Sequence, residues 1–511
     1  MNFSLDMNQW LALSPILLVS ATIIWVMVAI AFRRHHWWNA TVVAVGLNLA
    51  LLAATWLVLP HLAEQLPGFL QSLLAPLSVL GNAPIPQVVT PLLIVDSYSA
   101  FYMGLVLAAA LATATLTYAY MEGVKDNQEE VYILLALSAL GGIVVVCSRH
   151  FAAFFIGLEL LSLPLYGMIG YLVKERRSLE ASTKYLVLSA VASAFILFGM
   201  ALVFSQTGTL QFDEIGQRAA SAAGVMRQVL IVGGAMILIG VSFKLSLAPF
   251  HLWTPDVYEG APAPVAAYLA TASKTAVLAL LLRYFVTTKA YQYTTLLDVL
   301  SGIAILSIVL GNLMALLQDN IKRLLAYSSI AHFGYALVAF IASGALATEA
   351  VGMYLLTYVV TTLAAFGVVT MVSSPYNGHD ADTLWDYRGL FWRRPNLVAI
   401  LTVSLLSLAG IPLTAGFIGK FYIIAAGVDH RLWLLLAAVV FGSAVGLFYY
   451  LRAMVQLYLR APWVRQYQAP QDWAQNTGGL MLLALMLWML ALGIFPTPFI
   501  AVVQAAGLSG Q

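Results

Sequence analysis

The chain is 511 residues long, 62% hydrophobic and only 9% charged, with a net charge of +2. Soluble domains carry about 25% charged residues, so the composition excludes a soluble protein, and the small net charge gives no reason to expect a nucleic-acid partner. One cysteine, Cys147, excludes an internal disulfide framework or a cysteine-ligated cluster.

A bilayer core about 30 Å thick takes about 20 apolar residues as helix. The apolar runs here are long and continuous, unlike the alternating segments of about ten residues in a membrane barrel. In chain order they predict fourteen spans, at 10–32, 40–60, 97–121, 130–148, 151–173, 179–206, 226–247, 263–287, 294–317, 322–343, 349–373, 397–426, 432–459 and 477–500. The expected fold class is an all-α polytopic membrane protein. The first eight residues carry no Lys or Arg and no convincing cleavage site follows, so the first apolar segment is expected to remain as a span. Segment 61–96 has several prolines and only Glu64 and Asp96 as charges, and reads as an extramembrane loop.

Loop charges set the orientation, because cytoplasmic loops carry the excess of Lys and Arg. Alternate loops hold Arg33, Arg34, Lys125, Lys174, Arg176, Arg177, Lys322, Arg323, Arg388, Arg393, Arg394, Arg460 and Arg465. The opposite loops and nearby helix ends hold Arg149, Arg218, Arg227, Arg283, Lys289 and Arg431. The first set is therefore expected to be cytoplasmic, and an even span count puts both termini outside.

A faint repeat links the two halves. Glu180-Ala181 followed by Tyr185-Leu186 recurs as Glu349-Ala350 followed by Tyr354-Leu355, an offset of 169 (349 − 180) that Tyr166 and Tyr335 share. The offset carries the sixth span onto the eleventh and the fifth onto the tenth. An odd separation reverses direction across the membrane, the pattern of inverted-topology repeats with sites at their interface.

Five basic residues, Lys184, Lys244, Lys274, Lys420 and Arg452, fall inside spans, and Glu159 lies near the middle of the fifth. Each charge near the bilayer centre costs on the order of 2.5–3.5 kcal/mol on insertion scales. Lysine in a low-dielectric surround loses part of its preference for the charged form and a nearby carboxylate restores it, so lysines in series with a glutamate can pass a proton along. Bland readings stand beside this one. Lys184 is near enough to the surface to snorkel, Glu159 could be satisfied by Ser or Tyr, and Lys244 and Lys274 could be structural ion-pair partners. Arg452 reads as an anchor, and His332 serves equally as a hydrogen-bonded core residue or a relay. Two spans look broken. The seventh runs from Lys244 into Pro249 and His251, and the twelfth through Gly410, Pro412, Gly416 and Gly419 to Lys420. Freed backbone at membrane depth is tolerated only where protein or water satisfies it.

The run Phe250-His251-Leu252-Trp253-Thr254-Pro255-Asp256-Val257-Tyr258-Glu259-Gly260-Ala261-Pro262 resembles the signature of the antiporter-like subunits of respiratory complex I. Leu325-Ala326-Tyr327-Ser328-Ser329-Ile330-Ala331-His332 and Gly410-Ile411-Pro412-Leu413-Thr414-Ala415-Gly416-Phe417-Ile418-Gly419-Lys420 carry the same resemblance, which covers essentially the whole chain. Trp253-Thr254-Pro255-Asp256 stands where sister subunits typically read Trp-Leu-Pro-Asp. Ala263 departs from the family, whose relatives often have Thr there, and with so few residues after the fourteenth span the long lateral helix of the largest sister subunit is not expected here.

The resemblance implies fourteen helices with two inverted five-helix repeats, spans four to eight and nine to thirteen, and broken seventh and twelfth helices. The chain then divides into 1–121, 130–287, 294–459 and 477–511: an N-terminal three-helix segment, the two repeats and a C-terminal helix. By motif it makes Glu159 and Lys244 the charge pair of the first half, Lys274 the central relay and Lys420 the terminal one. It adds Lys184 as a further lysine position and places His251 on a hydrated axis. It implies a bacterial inner-membrane location, sister antiporter-like subunits and lipid as partners, and no cofactor in this chain, with FMN, iron–sulfur clusters and quinone elsewhere in the complex. A subunit of a multi-subunit sodium/proton antiporter or of a proton-pumping membrane hydrogenase shares much of this pattern. A purely structural scaffold would tolerate Leu or Met at the buried lysines.

Overall fold

A computed structural model describes residues 6–63, 85–122, 124, 127–373, 380–460 and 473–508. Nineteen α-helices appear among them, numbered here in chain order. The first is α1 (Met7–Ala12), and α2 (Ser14–Phe32), α3 (His36–Ala63) and α4 (Ser97–Met121) complete the N-terminal segment. Then come α5 (Glu130–Cys147), α6 (Phe151–Ile169), α7 (Arg176–Thr207), α8 (Phe212–Ala220), α9 (Gly224–Lys244), α10 (Trp253–Gly260) and α11 (Ala263–Thr287). The second half has α12 (Thr294–Leu316), α13 (Ile321–Ala342), α14 (Gly344–Val372), α15 (Pro395–Ala409), α16 (Ala415–Asp429) and α17 (Trp433–Tyr458), followed by α18 (Trp473–Ile494) and α19 (Thr497–Ala505). Among the described residues 13 helices are long and apolar enough to cross a membrane. The remaining expected span, the twelfth at 397–426, is the pair α15 and α16, each half too short to cross alone.

Part of the expected loop 61–96 lies outside the described residues, as do Lys125 and Arg465. The part described, 85–96, ends in an antiparallel ribbon of β1 (Gln87–Val88) and β2 (Ile94–Val95). Asp96 then caps α4, accepting from the Ser99 amide at 2.7 Å. The basic loops gather as their alternation predicts. Arg34 pairs with Glu130 beside Asn127, Arg177 with Asp382, and Arg388 meets the Arg460 carbonyl. This arginine-rich end lies opposite the end where Arg149 pairs with Asp213 and His150 bridges Gln211.

Burial identifies the centre of the molecule. Every residue in the most apolar stretch of α13 and α14 is buried, and 94% of that of α11, against 22% for α9 and α18. Lys274 lies on α11, and Lys420 faces Tyr335 of α13, whereas Lys244 ends the weakly covered α9 with its side chain turned inward to α6 and α7.

Both expected breaks are present, and local sequence explains them. Helix α9 stops at Lys244, Ser246 takes a left-handed φ of 61°, and Pro249 follows before α10 begins. Helix α15 ends at Gly410 with φ 86°, a conformation glycine adopts without penalty. A β-carbon there would also lie 2.8 Å from Cδ of Lys420. One irregularity has no sequence signal. Within α11, Leu269–Ser273 form a π-helical turn directly before Lys274, a widening frequently found at functional sites.

Candidate proton-relay site

Lys244, the last residue of α9, is 5% exposed. Its Nζ donates to Ser162 Oγ on α6 at 2.8 Å and to Ser189 Oγ on α7 at 2.7 Å. The Tyr166 hydroxyl donates to the same Ser189 oxygen at 2.8 Å. Glu159, half-buried on α6, accepts from Ser193 Oγ on α7 at 2.5 Å. Residues 159, 162 and 166 share one face of α6, and 189 and 193 share one face of α7. The glutamate and the lysine therefore occupy adjacent rungs between the same two helices, with serines as spacers. No ion pair joins Glu159 to Lys244 among the described residues; serine hydroxyls stand beside each of the two expected partners.

Lys274 has no exposed surface. Nζ donates to Ser329 Oγ on α13 at 2.8 Å and faces the rings of Phe333 and Tyr258 at 5.1 and 5.4 Å. Ser329 in turn meets the Tyr358 hydroxyl at 2.8 Å, and that hydroxyl donates to the Ala270 carbonyl at 3.2 Å. Ala270 belongs to the π-helical turn, so the widened turn and the lysine share one hydrogen-bonded group.

Lys420, near the start of α16, is 7% exposed. Its Nζ donates 2.9 Å to the Ala409 carbonyl, the last residue of α15, and faces the Tyr335 ring at 5.2 Å. An unpaired carbonyl at a helix C-terminus carries partial negative charge, so a cation is stabilised there. Lys244, itself at a helix C-terminus, meets the same principle. The two breaks thus hold lysines that make no ion pair with a carboxylate among the described residues.

Between Lys274 and Lys420 the structure places His332, buried on α13. Its Nδ1 lies 2.6 Å from the Tyr354 hydroxyl and its Nε2 3.2 Å from that of Tyr450, which also meets Ser328. His251 lies in the break between α9 and α10, buried, with no protein partner for Nδ1.

Lys184 is placed elsewhere. At the arginine-rich end, with its side chain 42% exposed, it pairs with Glu180 and Asp256, each at 2.8 Å. Asp256 also takes Arg323 at 2.8 Å, Arg323 reaches Glu259 at 2.8 Å, and Arg177 joins Glu259 to Asp382. Lys322 donates to Asp380 at 2.6 Å and to the Ala261 carbonyl at 2.7 Å. The acidic residues of the 253–260 run therefore clamp α10 to α7 and α13. Lys184 belongs to that clamp and not to the buried line.

Several participants were not singled out from sequence. Ser162 stands one turn after Glu159 and Ser329 one turn before His332, spacings that were available to a reader of the helical period. Ser189, Tyr354, Tyr358 and Tyr450 come from distant segments, and no local pattern marks them. The Arg283–Asp96 pair was also missed. Arg283 makes two bonds of 2.8 Å to the Asp96 carboxylate, both side chains 6% exposed or less. Burial pushes the Asp96 carboxyl up, but Arg283 and Ser99 outweigh it and hold it below its ordinary value.

Residues 148–446, which span all three lysines, match a family model described as NADH:quinone oxidoreductase/Mrp antiporter, TM. Buried lysines at breaks in a bundle of membrane-length helices, together with that match, define the antiporter-like class of membrane subunit. NADH-quinone oxidoreductase subunit N of Ectopseudomonas mendocina is 54% identical over 503 residues, covering 98% of this chain and 96% of that one. The chain belongs to the NADH-quinone oxidoreductase subunit N family. A chain of respiratory complex I from Thermus thermophilus with bound aureothin is 32% identical, with a TM-score of 0.77, covering 97% of this chain and all of that one. Chains of an archaeal membrane-bound sulfane sulfur reductase (23% identical, TM-score 0.82) and of the Mrp complex from Dietzia (19%, 0.81) share the fold, each over 97% or more of both chains.

Proposed function

We propose that this chain is the proton-translocating membrane subunit of an NADH:quinone oxidoreductase, and that Glu159, Lys244, Lys274 and Lys420 carry the proton. The observation that carries the proposal is chemical. Three buried lysines in one chain are held by hydroxyls, aromatic faces and a helix-end carbonyl, and none has a carboxylate within ion-pair distance among the described residues. A structural ion pair would neutralise its lysine; a group held by neutral partners is free to gain and lose a proton. In the mechanism, a neighbouring subunit perturbs Glu159 and weakens its hold on Lys244 through the Ser162, Ser189 and Ser193 row. Charge then shifts to Lys274 and on to Lys420, where a proton leaves, and reprotonation resets the line.

The path between stations is polar. Several buried atoms near the lysines have no protein partner among the described residues: the hydroxyls of Ser242 and Ser246 on either side of Lys244, of Thr275 next to Lys274, of Tyr258 whose ring faces Lys274, and Nδ1 of His251 in the break. Buried polar groups are ordinarily hydrogen-bonded, so these are positions for internal water. His332 with its two tyrosines serves the second step. Lys184 enters this scheme as a tether for α10 and not as a station.

The inverted-repeat reading belongs to the same proposal. Tyr166 stands in the shell of Lys244 and Tyr335, one repeat later, in the shell of Lys420. The arginine-rich end is assigned to the cytoplasm, which sets both termini on the periplasmic side of a bacterial inner membrane. The partners are the other membrane subunits, including sister antiporter-like ones, and lipid. The chain has no redox role of its own, and FMN, iron–sulfur clusters and quinone act elsewhere in the complex.

The test is to purify the chain with its native partners in mild detergent and assay NADH-driven quinone reduction. Activity in an assembly carrying flavin and iron–sulfur clusters supports the proposal. A small assembly without redox centres that exchanges sodium for protons in vesicles moves the assignment to an antiporter.

A further inference from the structure

A second group of orphaned polar atoms lies away from the lysine line, where α3 packs against α4 and α5. It comprises Nδ1 of His36, both side-chain polar atoms of Asn39 and the hydroxyl of Tyr132. Asn39 and Tyr132 have no exposed surface. The His36 ring stacks on Tyr118 at 4.9 Å and lies 5.7 Å from the Tyr132 ring, and its Nε2 meets the Tyr118 carbonyl at 3.3 Å. Asn39 follows His36 by three residues on the buried stripe of α3 that continues through Val43 and Leu47. Toward the arginine-rich end, Arg34 pairs with one oxygen of Glu130 at 3.0 Å, and the other oxygen is buried without a protein partner.

An asparagine amide offers two donors and a two-lone-pair acceptor. Left unmet among apolar side chains it is one of the costlier groups a helix can bury. A leucine of similar size would fill the same position on α3 without that cost. The amide is therefore explained only if something small and bifunctional meets it. The partner must donate to the Asn39 oxygen or His36 Nδ1 and accept from the Asn39 nitrogen or the Tyr132 hydroxyl. A water molecule does this with the two to four polar contacts that buried waters make.

We propose that His36, Asn39 and Tyr132 form an internal water site between α3, α4 and α5, separate from the relay, which ties the N-terminal helices to the first helices of the main bundle. Its loss would loosen the seating of α3 on α5 and leave the lysine line intact.

The experiment has two parts, both on the assembled complex. A map of the wild-type complex sharp enough to show ordered water should carry a peak within hydrogen-bond distance of the Asn39 side chain. Asn39→Leu should lower the dissociation temperature of this subunit from the complex by several degrees, because His36 and Tyr132 lose their shared partner. A wild-type map with no density in that interior overturns the proposal. So does an unchanged or raised dissociation temperature in Asn39→Leu, which is the outcome of deleting a dry, unpaired amide. Should Asn39→Leu fail to assemble, the wild-type map alone decides.

Discussion

Lys244, Lys274 and Lys420 together cost on the order of 8–10 kcal/mol to insert, taking about 3 kcal/mol each. Net stabilities of folded domains are typically about 5–15 kcal/mol, so a scaffold gains nothing by keeping them, and their neutral partners point the same way. The hydroxyls between stations should matter as well. Tyr358→Phe removes the group linking Ser329 to the Ala270 carbonyl, and should slow NADH-driven proton uptake into vesicles several-fold without reducing the amount of complex assembled. The Asp96–Arg283 pair acts on stability instead. Breaking a buried pair costs about 3–5 kcal/mol, so Asp96→Asn should lower the thermal stability of the assembled complex at neutral pH. The sign with pH follows from the carboxyl being held below its ordinary value of 3.8. Its contribution is fully present above that value and disappears as pH falls through the depressed pKa. Melting curves at pH 7 and pH 3.5 should therefore separate wild type from Asp96→Asn more at pH 7. At this scale the sequence was a good guide to charges, since a lysine in an apolar run is conspicuous. It was a poor guide to their partners, because serine and tyrosine are common in membrane helices and meet only in the fold.

At the scale of the helix, the two breaks were legible and the widened turn was not. Pro249, Gly410 and Pro412 each remove a backbone bond or permit a left-handed residue, and they do so wherever the segment lies. The π-helical turn at Leu269–Ser273 contains neither glycine nor proline, and its Ala270 carbonyl accepts from Tyr358 of another helix. Gly410→Ala tests the twelfth-span break. It imposes left-handed strain of about 1–3 kcal/mol and pushes against the Lys420 side chain. Lys420 should lose its bond to the Ala409 carbonyl, and protons pumped per electron should fall. Arg323→Gln tests the clamp on α10. Removing its bonds to Asp256 and Glu259 should speed hydrogen exchange across residues 253–260, measured by mass spectrometry, with little change in α14.

Over the whole molecule, the long apolar runs gave the span order directly, with most boundaries within a few residues of the structure. The third and eighth spans, 97–121 and 263–287, agree at both ends. The basic loops were legible because positive charge sorts to one end, and their contacts with one another bear that sorting out. What could not be read was which helices form the centre. Helices α13 and α14 are fully enclosed and α9 is mostly uncovered, yet all three are about equally apolar, because lipid and protein interior select the same residues. The orientation assigned here makes a plain prediction. A periplasm-active phosphatase fused to the C-terminus should be active, and a fluorescent protein that folds only in the cytoplasm should stay dark.

The central claim is that the buried lysines carry protons and do not serve packing. Lys274→Met keeps the bulk of the side chain, deletes the charge and leaves Ser329 paired with Tyr358. The decisive measurement is protons pumped per electron by the complex in sealed vesicles, with melting temperature recorded on the same preparation. The account predicts a lower ratio in Lys274→Met together with an equal or higher melting temperature. An unchanged ratio in a fully assembled complex would contradict it.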